Sequence, residues 1–115
     1  MKLIIAGGRD FLDYNRLEYV LGKLLVNSKP DAIVCGMAKG ADALGRSWAL
    51  NNGINVIEMP ADWDTYGKGA GYIRNKEMAR VSTHCICFWD GKSRGTKHMI
   101  DLAKEFNLNL RVVNY

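Results

Sequence analysis

Leu3-Ile4-Ile5-Ala6-Gly7-Gly8-Arg9-Asp10 is the stretch that decides the architecture. A short apolar run meets two glycines, and an amphipathic segment follows. Leu17, Val20, Leu21, Leu24 and Leu25 recur at i, i+3, i+4, i+7 and i+8, one apolar face of a helix. Lys2–Ala6 therefore reads as a strand, and Asp13 is placed to cap the helix after it. The same order returns twice. Gly36-Met37-Ala38-Lys39-Gly40-Ala41-Asp42 follows the apolar run Ala32–Cys35, and Ser93-Arg94-Gly95-Thr96 follows His84–Phe88.

Between these landmarks the alternation continues. Asp42–Asn51 reads as a helix with Leu44 and Trp48 on one side, ended by Asn52-Gly53. Asn55–Met59 is the third strand, Pro60–Gly71 a long loop, and Tyr72–Val81 a helix with Ile73, Met78 and Val81 as its inner residues. Trp89–Gly95 is a loop. Met99, Leu102, Ala103 and Phe106 mark a fourth helix before the last strand, Asn109–Val113. Five strands alternating with four helices imply right-handed crossovers and a mostly parallel sheet with helices on both faces. The expectation is one three-layer α/β Rossmann-like domain over residues 1–115. Its ligand crevice should lie beyond the carboxyl ends of the strands, where strand order reverses.

The chain of 115 residues, 48% hydrophobic and 24% charged, suits a single globular domain with a small core. The longest apolar stretches are too short to span a bilayer, and the N-terminal residues run straight into a strand pattern without a signal-peptide core. The expected compartment is the cytoplasm. Cys35, Cys85 and Cys87 fall in apolar runs and read as buried thiols. His84 and His98 lack metal-ligand spacing, so no metal site is expected. The net charge of +4 is mild, and no run of basic residues suggests a nucleic-acid tail. Arg9, Lys39, Lys68, Arg74, Lys92, Arg94 and Lys97 instead lie in or beside loops, a placement that suits a small anionic ligand.

The loops carry the chemistry. Gly7-Gly8 permits close backbone approach or a plain tight turn. Arg9 can pair with an anion, and Asp10 can hold Arg9 or a ribose hydroxyl. The dinucleotide fingerprint and the Walker A sequence are both missing, which disfavours ordinary nicotinamide and NTPase chemistry. Gly36, Lys39 and Gly40 outline a phosphate loop, and Asp42 can cap a helix or hold a sugar hydroxyl. Ser93, Arg94, Gly95 and Thr96 offer hydroxyls, a guanidinium and a helix N-terminus to phosphate oxygens, or simply an N-cap. Trp63 and Tyr66 can stack on a base or anchor the core or an oligomer contact. Trp89 can wall the pocket, Arg74 can reach the ligand and Asn75 can hydrogen-bond it. No nucleophile–base constellation is visible. Arg74 and Asp42 are the candidate catalytic groups.

Taken together, Ile4–Phe11, Gly40-Ala41-Asp42, Ala61-Asp62-Trp63, Ala70–Asn75 and Ser93–Thr96 resemble the YspA-like family of the SLOG superfamily, Rossmann-like nucleotide-binding domains of bacteria and their phages. That superfamily includes the LOG phosphoribohydrolases, the DNA-processing protein DprA and sensors of nucleotide-derived signals. Arg74-Asn75-Lys76-Glu77-Met78 is similar to the LOG segment Arg-Lys-x-x-Met, which implies that Arg74 occupies the place of a LOG arginine important for catalysis. Gly91–Thr96 resembles the LOG glycine loop. The LOG glutamates after Gly-Thr correspond here to His98 and Met99, and Met99 cannot act as a general acid.

The leading expectation is a module that binds a nucleotide or nucleotide-derived signal, ADP-ribose-like or cyclic, for sensing or sequestration, with no separate cofactor. The alternative is a hydrolase that cleaves an N-glycosidic bond of a nucleotide. Single-stranded DNA binding, as in DprA relatives, ranks third. Homo-oligomerisation is expected from size and from the superfamily, and no membrane partner is expected.

Overall fold

The structure, a computed structural model, describes residues 1–115. Strands β1 (Lys2–Gly7), β2 (Ala32–Cys35), β3 (Asn55–Glu58), β4 (His84–Trp89) and β5 (Asn109–Asn114) form one sheet in the order β3-β2-β1-β4-β5. Every pairing is parallel. The register sets Gly7 opposite Phe88 at the end of the β1–β4 pair. From β1 the chain works outward through β2 to β3, then returns across the sheet to β4 and moves outward again to β5. The order reverses between β1 and β4, so connections diverge there and leave a crevice at the strands' carboxyl ends.

Helices α1 (Tyr14–Leu24) and α2 (Ala41–Asn51) cover one face, and α4 (Ala70–Val81) and α5 (Arg94–Glu105) cover the other. Alternation along β1 divides the core. Leu3 and Ile5 join Leu17, Leu21 and Trp48 on the α1–α2 side. Ile4 and Ala6 join Met78, Cys85, Cys87 and Met99 on the α4–α5 side. Central strands covered on both faces must be apolar throughout, which is why Leu3–Ile5 and Cys85–Phe88 carry no polar residue. The three-layer Rossmann-like architecture read from the sequence is the one observed.

Helix bounds differ in places. Asp13 caps α1, its carboxylate accepting from the Arg16 N–H at 3.0 Å. The cap of α2 is Gly40, not Asp42, which lies inside the first turn. The segment expected to be a loop, Pro60–Gly71, holds a single-turn helix α3 (Trp63–Tyr66) and a 3₁₀ turn (Gly67–Gly69), and α4 begins at Ala70. Asp62 starts α3 by accepting from the Thr65 N–H at 3.1 Å. A single turn is too short to display an apolar period. Ile73 and Val81, expected inside, are 38% and 42% exposed, whereas Ala70, Asn75, Met78 and Ala79 face inward. Of the three residues expected inside, only Met78 is; the rest of the inner face of α4 uses small and polar side chains, which hydrophobic spacing does not register.

Helix α2 packs unusually close to β1. A methyl group at Gly45 would lie 2.6 Å from Ile5 Cγ2 and 2.8 Å from Ile5 Cβ. Ile5 is fully buried and cannot yield. Gly45→Ala should therefore lose about 1–3 kcal/mol by overpacking, more than the roughly 1 kcal/mol alanine gains in an ordinary helix. Urea unfolding measures this, and a variant as stable as the parent would contradict the packing.

Candidate functional site

Three backbone contacts assemble the site floor. The Gly8 N–H donates to the Phe88 carbonyl at 3.1 Å, and the Gly8 carbonyl accepts from Phe11 and Ala41 at 3.2 and 3.1 Å. The β1 loop is thereby tied to the end of β4 and to the start of α2. A side chain at Gly7 would strike the Phe88 carbonyl and come within 2.9 Å of Ala41 Cβ. One at Gly40 would strike the Gly8 carbonyl and the Arg9 backbone, and Gly40 also takes φ +76°. Opposite Gly8 stands Tyr115, which follows β5. Its hydroxyl donates to Asp10 Oδ1, and its ring lies 4.9 Å from that of Phe11. Burial and the Asp10 carboxylate both push the Tyr115 phenol up, so it remains a donor.

Above this floor opens a cavity of about 510 Å³, within the usual size of small-molecule sites. Gly7, Gly8, Arg9 and Asp10 line it from the β1 loop, and Asp42 from α2. Trp63, Arg74 and Asn75 line it from α3 and α4, and Ser93, Gly95 and Thr96 from the β4–α5 connection. Gly36 and Lys39 instead line an adjoining chamber of about 400 Å³, which shares Arg9, Ala38, Trp63 and Arg74 with the first.

The remaining candidates lie elsewhere. Gly40 lets the loops touch, as described, and faces neither chamber. Tyr66 projects from α3 and is 53% exposed. Trp89 does not wall the pocket. It packs on the α4–α5 core, and its indole N–H donates to the Ser93 carbonyl at 3.1 Å, bracing the β4–α5 loop from behind. Arg94, the first residue of α5, is exposed outside the cavity because Ser93 takes the cap and turns Arg94 outward. The Ser93 hydroxyl accepts from the Thr96 N–H at 3.3 Å and lies 3.0 Å from the Thr96 hydroxyl.

The wall contains a connected polar row. Asp42 is 5% exposed, and its carboxylate lies 3.4 Å from the Ala38 N–H. Burial pushes the Asp42 carboxyl up, opposed by the Arg74 charge and by N–H groups of Ala38, Gly7 and Gly36. The Arg74 guanidinium donates to the Gly36 carbonyl and, through Nε, to Asn75 Oδ1 at 3.0 Å. Burial lowers the Arg74 pKa, with Asp42 opposing; the guanidinium stays charged. Asn75 Nδ2 reaches the Gly95 carbonyl at 3.4 Å and His98 Nδ1 at 3.3 Å. His98 lies edge-on to Tyr72 at 4.6 Å, and burial pushes its imidazole pKa down. A neutral ring with Nδ1 accepting completes the row, which fastens α4 to the loop after β2 and to α5.

Lys68, Tyr72, Asp90 and Met99 also line the cavity; Lys68 is one of the loop cations that the sequence suits to an anionic ligand, whereas the sequence assigns neither Tyr72 nor Met99 to the ligand. Asp90 shapes the loop after β4, accepting from the Lys92 and Ser93 N–H groups, both at 2.8 Å. Those bonds hold its carboxyl below the usual range. A basic residue among glycines was the signal for Lys68. Nothing in the local pattern turns Tyr72 inward, since that depends on the true start of α4; Met99 lies on the apolar face of α5 that its spacing predicts.

A parallel sheet of this order, with a glycine-lined cavity at its switch point, defines a Rossmann-like domain. Residues 1–66 match the family described as YspA, cpYpsA-related SLOG family. The Gene 61 protein of Mycobacterium phage D29 is 33% identical over 121 residues, which cover 99% of this chain and 95% of that protein. The chain belongs to the YspA-like SLOG family. No solved structure matches it. No helix is long and apolar enough to cross a membrane.

The buried Asp42 makes stability depend on pH in a defined sense. A carboxyl raised above its unfolded value of 3.8 binds its proton more tightly in the folded state. Its contribution is full below pH 3.8 and is lost as pH rises through the higher folded value. Asp42→Asn removes that loss. The unfolding free energy of the variant should therefore gain on that of the parent as pH rises from below 3.8, whatever constant offset the amide introduces. Denaturant titrations at several pH values would show it. A difference that stays flat or moves the other way contradicts the assignment.

Proposed function

We propose that the protein binds a nucleotide or nucleotide-derived signalling molecule, ADP-ribose-like or cyclic, for sensing or sequestration. The observation that carries this reading is the gathering of Arg9, Lys68, Arg74 and the α5 N-terminus around one cavity. Backbone N–H groups at that helix start have no intrahelical acceptor and favour an anion. Asp10 and Asp42 are suited to ribose hydroxyls, and Trp63 and Tyr72 offer aromatic surface to a base. Family membership supports a nucleotide-related role.

Calorimetry with AMP, ADP, ADP-ribose and cyclic AMP tests the proposal. At least one should bind, and Arg74→Ala should weaken that binding about 10- to 100-fold, the worth of charge-assisted hydrogen bonds. Circular dichroism checks that the variant is folded. Failure of every ligand at millimolar concentration would overturn the reading.

Hydrolysis of an N-glycosidic bond is the second reading. Asp42 favours it: a buried carboxyl with a raised pKa, facing a cavity beside Arg74, has the character of a general acid. Against it, Met99 lines the cavity where the LOG resemblance implies a glutamate, and a thioether supplies no proton. Chromatography after incubation with nucleotides separates the two readings. Free base that disappears in Asp42→Asn would establish turnover, and intact nucleotide would leave the binding module alone.

A further inference from the structure

The two adjoining chambers differ in charge. The larger one carries the carboxylates Asp10, Asp42 and Asp90 among its cations. The smaller one is lined by Arg9, Lys39 and Arg74 and by no carboxylate. Arg9 and Arg74, with Ala38 and Trp63, line both chambers and so stand where the two adjoin. None of the three cations takes part in an ion pair, since the ion pairs join the N-terminus to Asp31, Arg46 to Glu58 and Lys97 to Asp101. Arg9 also acts on Arg74 as a like charge, lowering its pKa. Two neighbouring guanidiniums repel each other unless an anion lies between them.

A nucleoside has its natural place in the larger chamber, where carboxylates can accept from ribose hydroxyls. A first phosphate on such a nucleoside can pair with Arg9 and Arg74, the cations that border both chambers. A single phosphate, or a cyclic one folded back on the ribose, ends there and leaves the Lys39 chamber empty of anion. A second phosphate linked to the first can extend into the smaller chamber toward Lys39, which lines it and is exposed. Each further phosphate brings at least one more negative charge into a chamber that offers only positive ones.

Resting on the nucleotide-binding reading, we infer that the ligand carries at least two linked phosphates, with its nucleoside in the larger chamber and its distal phosphate, bare or bearing a further group, against Lys39. The ligand class is thus a nucleoside diphosphate or a diphosphate-bridged derivative, in preference to a nucleoside monophosphate or a cyclic monophosphate.

Calorimetry of the full chain with AMP, cyclic AMP, ADP and ADP-ribose at fixed low salt tests this. ADP and ADP-ribose should bind about tenfold or more tightly than AMP and cyclic AMP, as expected for an added charge-assisted contact. Lys39→Ala should bring the ADP-to-AMP affinity ratio to within about threefold of one, and Lys39→Arg should keep most of it. Lys29→Ala, an exposed charge just before β2 at the other end of the sheet, should leave the ratio unchanged and so exclude a net-charge effect. Equal affinity for AMP and ADP, or a ratio that survives Lys39→Ala, overturns the inference while nucleotide binding stands. Absence of binding by all four overturns both.

Discussion

The Gly8 carbonyl oxygen is the point on which the upper half of the molecule depends. It accepts from Phe11 within its own loop and from Ala41 at the start of α2, while the Gly8 N–H is held by the Phe88 carbonyl of β4. Backbone groups can meet this closely only if nothing projects between them. Residues 7, 8 and 40 satisfy that condition by lacking a Cβ, and each has a neighbour that a methyl group would strike. Gly7 and Gly40 admit backbone, whereas Gly8 admits the Tyr115 hydroxyl. The glycines are therefore shaped first by contacts within the chain itself, and the cavity is what remains above them. Bringing the loops together also brings their charges together, which is how guanidiniums and carboxylates come to line one hollow while the chamber beside it holds cations alone.

Burial gives that hollow its polar character. Asp42 and Arg74 flank Gly36, where an added methyl would sit 2.9 Å from Asp42 Oδ2 and even closer to the Arg74 guanidinium. Each ionised form is disfavoured by burial and supported by the other's charge. Neither could be removed without leaving its neighbour more exposed to the cost of desolvation. Asn75 extends the arrangement by joining Arg74 to Gly95 and His98. Rigid placement of a cation before a ligand arrives lowers the cost of ordering it on binding. The same row links α4 to α5, so the wall of the site and the packing of that face are one structure.

Local sequence was sufficient for the sheet. Apolar runs such as Ile4–Ala6 and Cys85–Phe88 can satisfy burial only as covered parallel strands, and the glycine-bearing loops after them locate the carboxyl edge. Asp13 and Ser93 cap helices where their positions predict. Local sequence also drew Gly7–Asp10, Asp42, Arg74–Asn75 and Thr96 to the site, because anion chemistry and loop position coincide there. Trp89 and Arg94 failed that logic. Each has suitable chemistry in a suitable loop, but a core contact claims the first and the exit direction of a helix start turns the second outward.

What the amino-acid order determines alone is thus the succession of strands and helices and the chemistry carried by each loop, since both are set by neighbours a few residues apart. Only the tertiary structure decided that Lys39 faces a second chamber, that Tyr72 and Met99 line the first and that Tyr115 reaches back across 105 positions to Asp10. Those outcomes depend on the angles at which helices meet the sheet and on the close approach of distant backbone. Neither is written in any local stretch, because both are fixed by the packing of all the layers at once.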